Sequence, residues 1–205
     1  MTLPVPPILL VTDRSQAKGD LVTIVAAALA GGLRWVSLRE KDLPEAEQAA
    51  LVRALRPVID AHGARLMLHG SAALAQSAGA DGVHLPGGAD AVAARALLGP
   101  GALIGQSIHG VGEAAAADVA ALDYLVAGPA FETASKPGYG PALGVDGLRA
   151  LRVASPLPLI AIGGIGVAQL AVCRAGGAAG VAVMGGLMRA VDPVAEARAL
   201  IAAWG

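Results

Sequence analysis

A chain of 205 residues with a formal net charge of −1 is long enough to bury one substantial core, and it has no global field to draw it to nucleic acid or to an anionic membrane. Hydrophobic residues make up 55% of it and aromatic residues only 2%, so the stacking platforms that single-stranded nucleic acid needs are scarce. The one cysteine, Cys173, excludes an internal disulfide and a cysteine-based zinc site, and core packing is its simplest role.

The first residues, MTLPVPPILLVTDR, show no basic stretch ahead of an apolar one, so no signal peptide is expected. Residues 154–173 carry no charge, but Pro156, Pro158, Gly163, Gly164 and Gly166 make them a poor membrane helix, and strand–loop–helix is the better reading. The expectation is a soluble, cytoplasmic protein.

Ile8–Thr12 is the first apolar run, ending in Asp13-Arg14, with a helix predicted over Gln16–Ala30 and stopped by Gly31-Gly32. Trp35–Leu38 follows and ends in a charged cluster, Arg39-Glu40-Lys41-Asp42, before Pro44 opens a helix to about Ala61. Leu66–Leu68 ends in His69-Gly70, with Ser71 placed to cap a short helix. Gly82–Leu85 carries His84, is followed by Pro86-Gly87-Gly88, and leads into a helix over Asp90–Leu98 with Asp90 as its N-cap. Leu103–Gln106 ends in Ser107-Ile108-His109 before a helix over Glu113–Ala120. Tyr124–Ala127 ends in Gly128-Pro129, then a long polar loop, Ala130–Gly144, and a helix over Val145–Val153. Leu159–Ile162 and Gly180–Val183 are alike: each is apolar throughout, and each leads to a glycine pair, Gly163-Gly164 and Gly185-Gly186. A helix over Val167–Arg174 separates them, and one over Pro193–Trp204 ends the chain.

Strands apolar at every position are covered on both faces, as in a parallel sheet with helices outside. Eight strand–helix units in a chain of this length favour a closed barrel over an open sheet, so residues 1–205 read as one domain, a single small (β/α)8 TIM barrel.

In that fold the carboxyl ends of the strands surround one mouth, where the chemistry lies. The glycine pairs after the seventh and eighth strands, Gly163-Gly164 and Gly185-Gly186, predict a phosphate cup. Arg39 and Lys41 alternate with Glu40, so both cations can reach the mouth while Glu40 turns to the wall, an arrangement suited to a polyanion. Solvated pairing of these cations with Glu40 and Asp42 is the alternative. His84 is either a substrate contact or a wall histidine. His109, just past the fifth strand among small residues, is the sharper acid/base candidate. His62, at a helix C-terminus, is explained by the dipole there. The loop with Thr133, Ser135 and Lys136 reads as a lid or binding loop. No pair of acids sits on neighbouring strand ends, so no metal site is expected.

Together Val11-Thr12-Asp13-Arg14, Leu38-Arg39-Glu40-Lys41, Gly82-Val83-His84-Leu85, Ser107-Ile108-His109, the Gly128–Lys136 loop, Ala161–Ile165 and Gly180–Met184 resemble the thiamine phosphate synthase/TenI superfamily of small TIM barrels, along nearly the whole chain. The synthase branch joins a pyrimidine pyrophosphate to a thiazole phosphate with magnesium, held by acids in Asn-Asp after strand 3 and Gly-Gln-Glu-Asp after strand 4. Here His69-Gly70 and Pro86-Gly87-Gly88-Ala89 stand in those places. The TenI branch, thiazole tautomerase, lacks the acids and is similar in Ser107-Ile108-His109 and in Phe131-Glu132-Thr133 with Lys136. The resemblance therefore implies a TenI-like tautomerase that aromatises a carboxythiazole phosphate, with His109 moving the proton. In that reading the backbone of Gly163, Gly164, Met184 and Gly185 holds the phosphate, and Arg39, Lys41 or Lys136 receives the carboxylate. Arg39, Lys41, His84, Ser107, Thr133, Ser135 and Lys136 contact the substrate, and no cofactor is needed. The alternatives are a thiamine phosphate synthase with rearranged metal ligands, in which magnesium would take part, and a non-catalytic barrel that binds thiazole phosphate. The expected partner is a small phosphorylated thiazole, and a homodimer is one expected state.

Overall fold

The computed structural model describes residues 2–133 and 142–205. Its eight strands are β1 (Ile8–Val11), β2 (Trp35–Leu38), β3 (Arg65–His69), β4 (Gly82–Leu85), β5 (Leu103–Ile108), β6 (Tyr124–Ala127), β7 (Leu159–Ile162) and β8 (Gly180–Val183). Each pairs in parallel with its sequence neighbour, and β8 closes on β1 through Ile8 opposite Val181 and Leu10 opposite Val183. The helices are α1 (Leu21–Ala30), α2 (Glu45–Ala61), α3 (Ala72–Ala78), α4 (Ala91–Leu98), α5 (Val111–Ala116), α6 (Gly144–Ala154), α7 (Leu170–Ala175), α8 (Gly185–Met188) and α9 (Pro193–Trp204). This is the (β/α)8 barrel expected from the alternation of apolar runs and helices.

Strand alternation divides the apolar residues into two cores. Ile8, Leu10, Val36, Leu38, Leu66 and Leu68 face outward and pack with the helices. Leu9, Val11, Trp35, Met67, Leu103 and Tyr124 face inward and fill the barrel. The interior fits because β5 is small where β6 is large: a Cβ on Gly105 would lie 2.1 Å from the Tyr124 ring. Tyr124 meets Trp35 edge-on at 4.8 Å, and lies 6.1 Å from the His84 ring, which in turn lies 4.8 Å from His69. A column of rings thus leads from the barrel interior to the ends of β3 and β4.

Three helices differ from the sequence expectation, one of them only at its start, where Val167–Gln169 is a 3-10 turn ahead of α7. The predicted helix over Gln16–Ala30 is a 3-10 turn at Arg14–Gln16, followed by α1 from Leu21. Asp20 sets that start, because its carboxylate accepts from the Thr23 amide at 2.9 Å, as an N-cap does. The helix expected to reach Ala120 ends at Ala116, since the Asp118 carboxylate accepts from the Ala120 and Ala121 amides and turns the chain. The Ser71 and Asp90 caps form as read, accepting from the amides of Leu74 and Ala93. Cys173 is buried in the outer core, and burial raises its thiol to about 11, well away from reactive thiolate.

Candidate active site

The mouth is organised by a buried carboxylate. Glu40, only 2% exposed, turns into the wall between β1 and β2, as the alternation after β2 requires. It accepts from Thr12 Oγ1 at 2.7 Å and from the Arg14 amide at 3.0 Å, while the Arg39 amide donates to Thr12 Oγ1 at 2.9 Å. Asp42 is taken by Arg14, whose Nη2 lies 2.5 Å from its carboxylate. The acids flanking Arg39 and Lys41 are therefore engaged by Thr12 and Arg14. Arg39 forms no ion pair among the described residues.

Both cations act on His84. Its imidazole is 3% exposed at the end of β4, and burial, then the charges of Lys41 and Arg39, lower its pKa to about 3. At neutral pH it is uncharged. Its Nε2 lies 2.8 Å from Ser107 Oγ on β5, and its Nδ1 has no hydrogen-bond partner among the described residues. His69 ends β3 beside it, in register across the ladder. Asp13 is close enough to feel Arg39. Burial would raise its pKa, but hydrogen bonds from Ser15 and Gln16, with the Arg39 charge, hold it below the usual carboxylate value.

His109 is exposed just beyond β5. Its Nδ1 lies 2.7 Å from the Gly128 carbonyl, and its amide donates to Glu113. Donation from Nδ1 to that carbonyl leaves the lone pair on Nε2. Thr133 is half-buried at the near end of the long loop. Ser135 and Lys136 lie outside the described residues.

The two glycine pairs differ. Gly163 and Gly164 have φ of +103° and +64°, and a Cβ on Gly164 would fall 2.3 Å from the Glu132 carbonyl oxygen. The β6 loop thus packs directly on this turn, which only glycine permits. Gly185-Gly186 is no bare strand end, because both residues belong to α8, with Met184 preceding them. A Cβ on Gly185 would lie 2.5 Å from the Arg189 guanidinium. Arg189 folds back over the cup and donates to Gln16, whose Nε2 lies 2.5 Å from Asp13. Arg189, Gln16 and Thr12 are site residues that sequence reasoning alone does not mark out. The one available signal was an arginine one helical turn beyond Gly185.

The magnesium that the resemblance raises can be tested against these side chains. Gly70, where an acid would be needed, has φ of +133°, a conformation that residues with a side chain rarely adopt. Asp90 caps α4, and drawing it into the mouth would forfeit about 1 kcal/mol of capping. The turn before it is tied to β5, with Gln106 Nε2 donating to the Ala89 carbonyl at 2.8 Å. No group of three acidic, histidine or cysteine side chains gathers as a metal site among the described residues, and residues 134–141, ASKPGYGP, contain none of these types. The residues present do not fit a carboxylate-held magnesium. A separate cavity of about 280 Å³, lined by Leu3, Arg34, Arg65 and Leu103, opens at the other end of the strands, away from this mouth.

The chain matches the family model described as thiamine monophosphate synthase over residues 8–187. A putative thiamine-phosphate synthase of Geobacter sulfurreducens is 48% identical over 195 residues, 94% of this chain and 92% of that protein. The thiamine-phosphate synthase of Moorella thermoacetica is 38% identical, over 93% of this chain and 91% of that protein. The solved thiamine phosphate pyrophosphorylase of Pyrococcus furiosus superposes with a TM-score of 0.84 at 28% identity, covering 96% of this chain and 94% of its own. These relatives correct the tautomerase expectation: the Geobacter and Moorella proteins are named as thiamine-phosphate synthases and the Pyrococcus protein as a thiamine phosphate pyrophosphorylase, and they give no sign of particular closeness to TenI. No helix among the described residues is long and apolar enough to cross a membrane.

Proposed function

We propose, for a chain that belongs to the thiamine monophosphate synthase family, that it is a transferase joining hydroxymethylpyrimidine pyrophosphate to thiazole phosphate. What carries the reading is the charge arrangement after β2: Arg39 and Lys41 stand at the mouth while Glu40 and Asp42 are held by Thr12 and Arg14. Two phosphorylated substrates need two anion sites in one mouth. The β2 cations supply one. The glycine turns after β7 and β8, with Arg189 above Gly185, supply the other.

The reaction breaks the bond between the pyrimidine methylene carbon and a pyrophosphate oxygen, which leaves with the electron pair. The thiazole nitrogen gives its lone pair to that carbon, and no proton moves at the reacting atoms. The work of the protein is therefore positioning and stabilising the leaving charge. Arg39 and Lys41 hold the pyrophosphate, and Thr133 contacts it from the near end of the long loop. Ser107, fixed by neutral His84, offers a hydroxyl between the two sites. Gly163, Gly164, Met184 and Gly185 hold the thiazole phosphate. In this reaction His109 contacts substrate and is no acid/base.

The test is to incubate the purified chain with both substrates, with and without magnesium, and to look for thiamine phosphate by mass spectrometry. Formation supports the reading. Its absence under both conditions, with the protein shown folded, overturns it.

A further inference from the structure

We infer that this mouth grips the diphosphate directly with Arg39, Lys41 and the His69 imidazole, without a divalent cation between protein and ligand. The inference rests on the synthase reading for the identity of the ligand. It stands on the side chains for the manner of holding it.

A divalent cation would need anionic ligands facing the mouth, and the acids that follow β1, β2, β4 and β5 are each engaged elsewhere. Glu40 is buried against Thr12 and the Arg14 amide. Asp42 is paired with Arg14, Asp90 caps α4, and Glu113 accepts from the His109 amide. Asp13 accepts from Ser15 at 2.6 Å and from Gln16 at 2.5 Å. What faces the mouth instead is basic. Arg39 and Lys41 together carry the two positive charges that one divalent ion would supply, and the Arg39 fork can bind two phosphate oxygens at once. Both charges act on His84, so they bear on the end of β4.

The end of β3 points the same way. His69 there is a ring that can donate a hydrogen bond to an anion. Its ring lies 4.8 Å from that of His84, tilted by 39°, and His84 is buried and held by Ser107. The imidazole of His69 is therefore backed by a fixed neighbour, whereas Gly70 beyond it has a backbone unsuited to a carboxylate.

The decisive measurement is calorimetric binding of inorganic pyrophosphate to the full chain, once in a chelator and once in excess magnesium, beside the coupling assay under the same two conditions. The expected dissociation constant in chelator is within about threefold of that in magnesium. Arg39→Gln and Lys41→Gln should each weaken binding by about tenfold or more, as loss of a charge-assisted hydrogen bond does. His69→Ala should weaken it in chelator as well. Circular dichroism establishes that each variant folds. Pyrophosphate binding that requires magnesium, or that ignores all three substitutions, overturns the inference. Thiamine phosphate made only with magnesium overturns it too, and leaves the synthase reading standing. Pyrophosphate bound in chelator, with thiamine phosphate formed under neither condition, upholds it and overturns the synthase reading instead.

Discussion

His84 Nε2 and Ser107 Oγ lie 2.8 Å apart across β4 and β5, and this bond is what holds an uncharged imidazole beneath two cations. The other ring nitrogen is buried without a partner among the described residues. Ser107→Ala would leave both ring nitrogens unsatisfied in a buried site, at a cost of about 1–3 kcal/mol. For a domain of this size that is a fall of about 2–4 °C in Tm for each kcal/mol, read by calorimetry.

The same imidazole sets a pH dependence of stability. In the unfolded chain His84 takes a proton near its ordinary value of 6.5, whereas in the folded barrel it resists protonation down to about 3. The unfolded state therefore binds more protons between these values, and acid favours unfolding. Stability from this group is complete above pH 6.5 and falls by about 1 kcal/mol per pH unit below it. Thermal melts from pH 7 to pH 4 should show the decline, and His84→Gln should flatten it relative to the parent chain.

Replacing His109 should do little to coupling. No proton moves at the reacting atoms, so His109→Ala is expected to lower the rate of thiamine phosphate formation by less than about tenfold, below the usual range for loss of a general acid or base. A larger fall in kcat would restore a proton-transfer role to this residue.

Arg189 should read out the thiazole phosphate. Its guanidinium lies over Gly185 and is held by Gln16. Arg189→Ala is expected to raise KM for thiazole phosphate by about tenfold, the scale of one charge-assisted contact, and to leave KM for the pyrimidine substrate unchanged. Steady-state kinetics varying each substrate in turn checks this.

Gly164→Ala tests the other side of the cup. A methyl group there meets the Glu132 carbonyl at 2.3 Å, and the backbone is at φ +64°. Strain of about 1–3 kcal/mol is expected, together with displacement of the β6 loop. The variant should lose Tm and weaken thiazole phosphate binding together.

Much of this barrel was legible in the sequence because parallel strands covered on both faces leave uninterrupted apolar runs, such as Leu159–Ile162, that polar strand ends punctuate. The turn of Glu40 to the wall was legible for a related reason, since side chains alternate along an extended segment. Long-range pairing was not. Arg14 stands 28 residues from Asp42 in sequence, and only barrel closure brings Gln16 to Arg189. The start of α1 was missed because Asp20 outweighed the helical propensity of the residues before it. The function was misjudged for a different reason. The absence of carboxylates at His69-Gly70 and Ala89 points to another reaction, whereas Arg39 and Lys41, the cations that meet the pyrophosphate in the proposed coupling, are equally legible in the sequence.

The ring column has an optical consequence. Trp35 is fully buried and touches Tyr124, which leads through His84 to His69 at the mouth, while the other tryptophan, Trp204, sits at the end of α9 with Arg174 over its ring at 6.0 Å. The interior indole is thus linked through Tyr124 and His84 to the histidine at the mouth, and its emission is expected to change when the mouth is filled. In a Trp204→Phe chain that emission becomes a label-free signal of occupancy, built into the barrel at its centre.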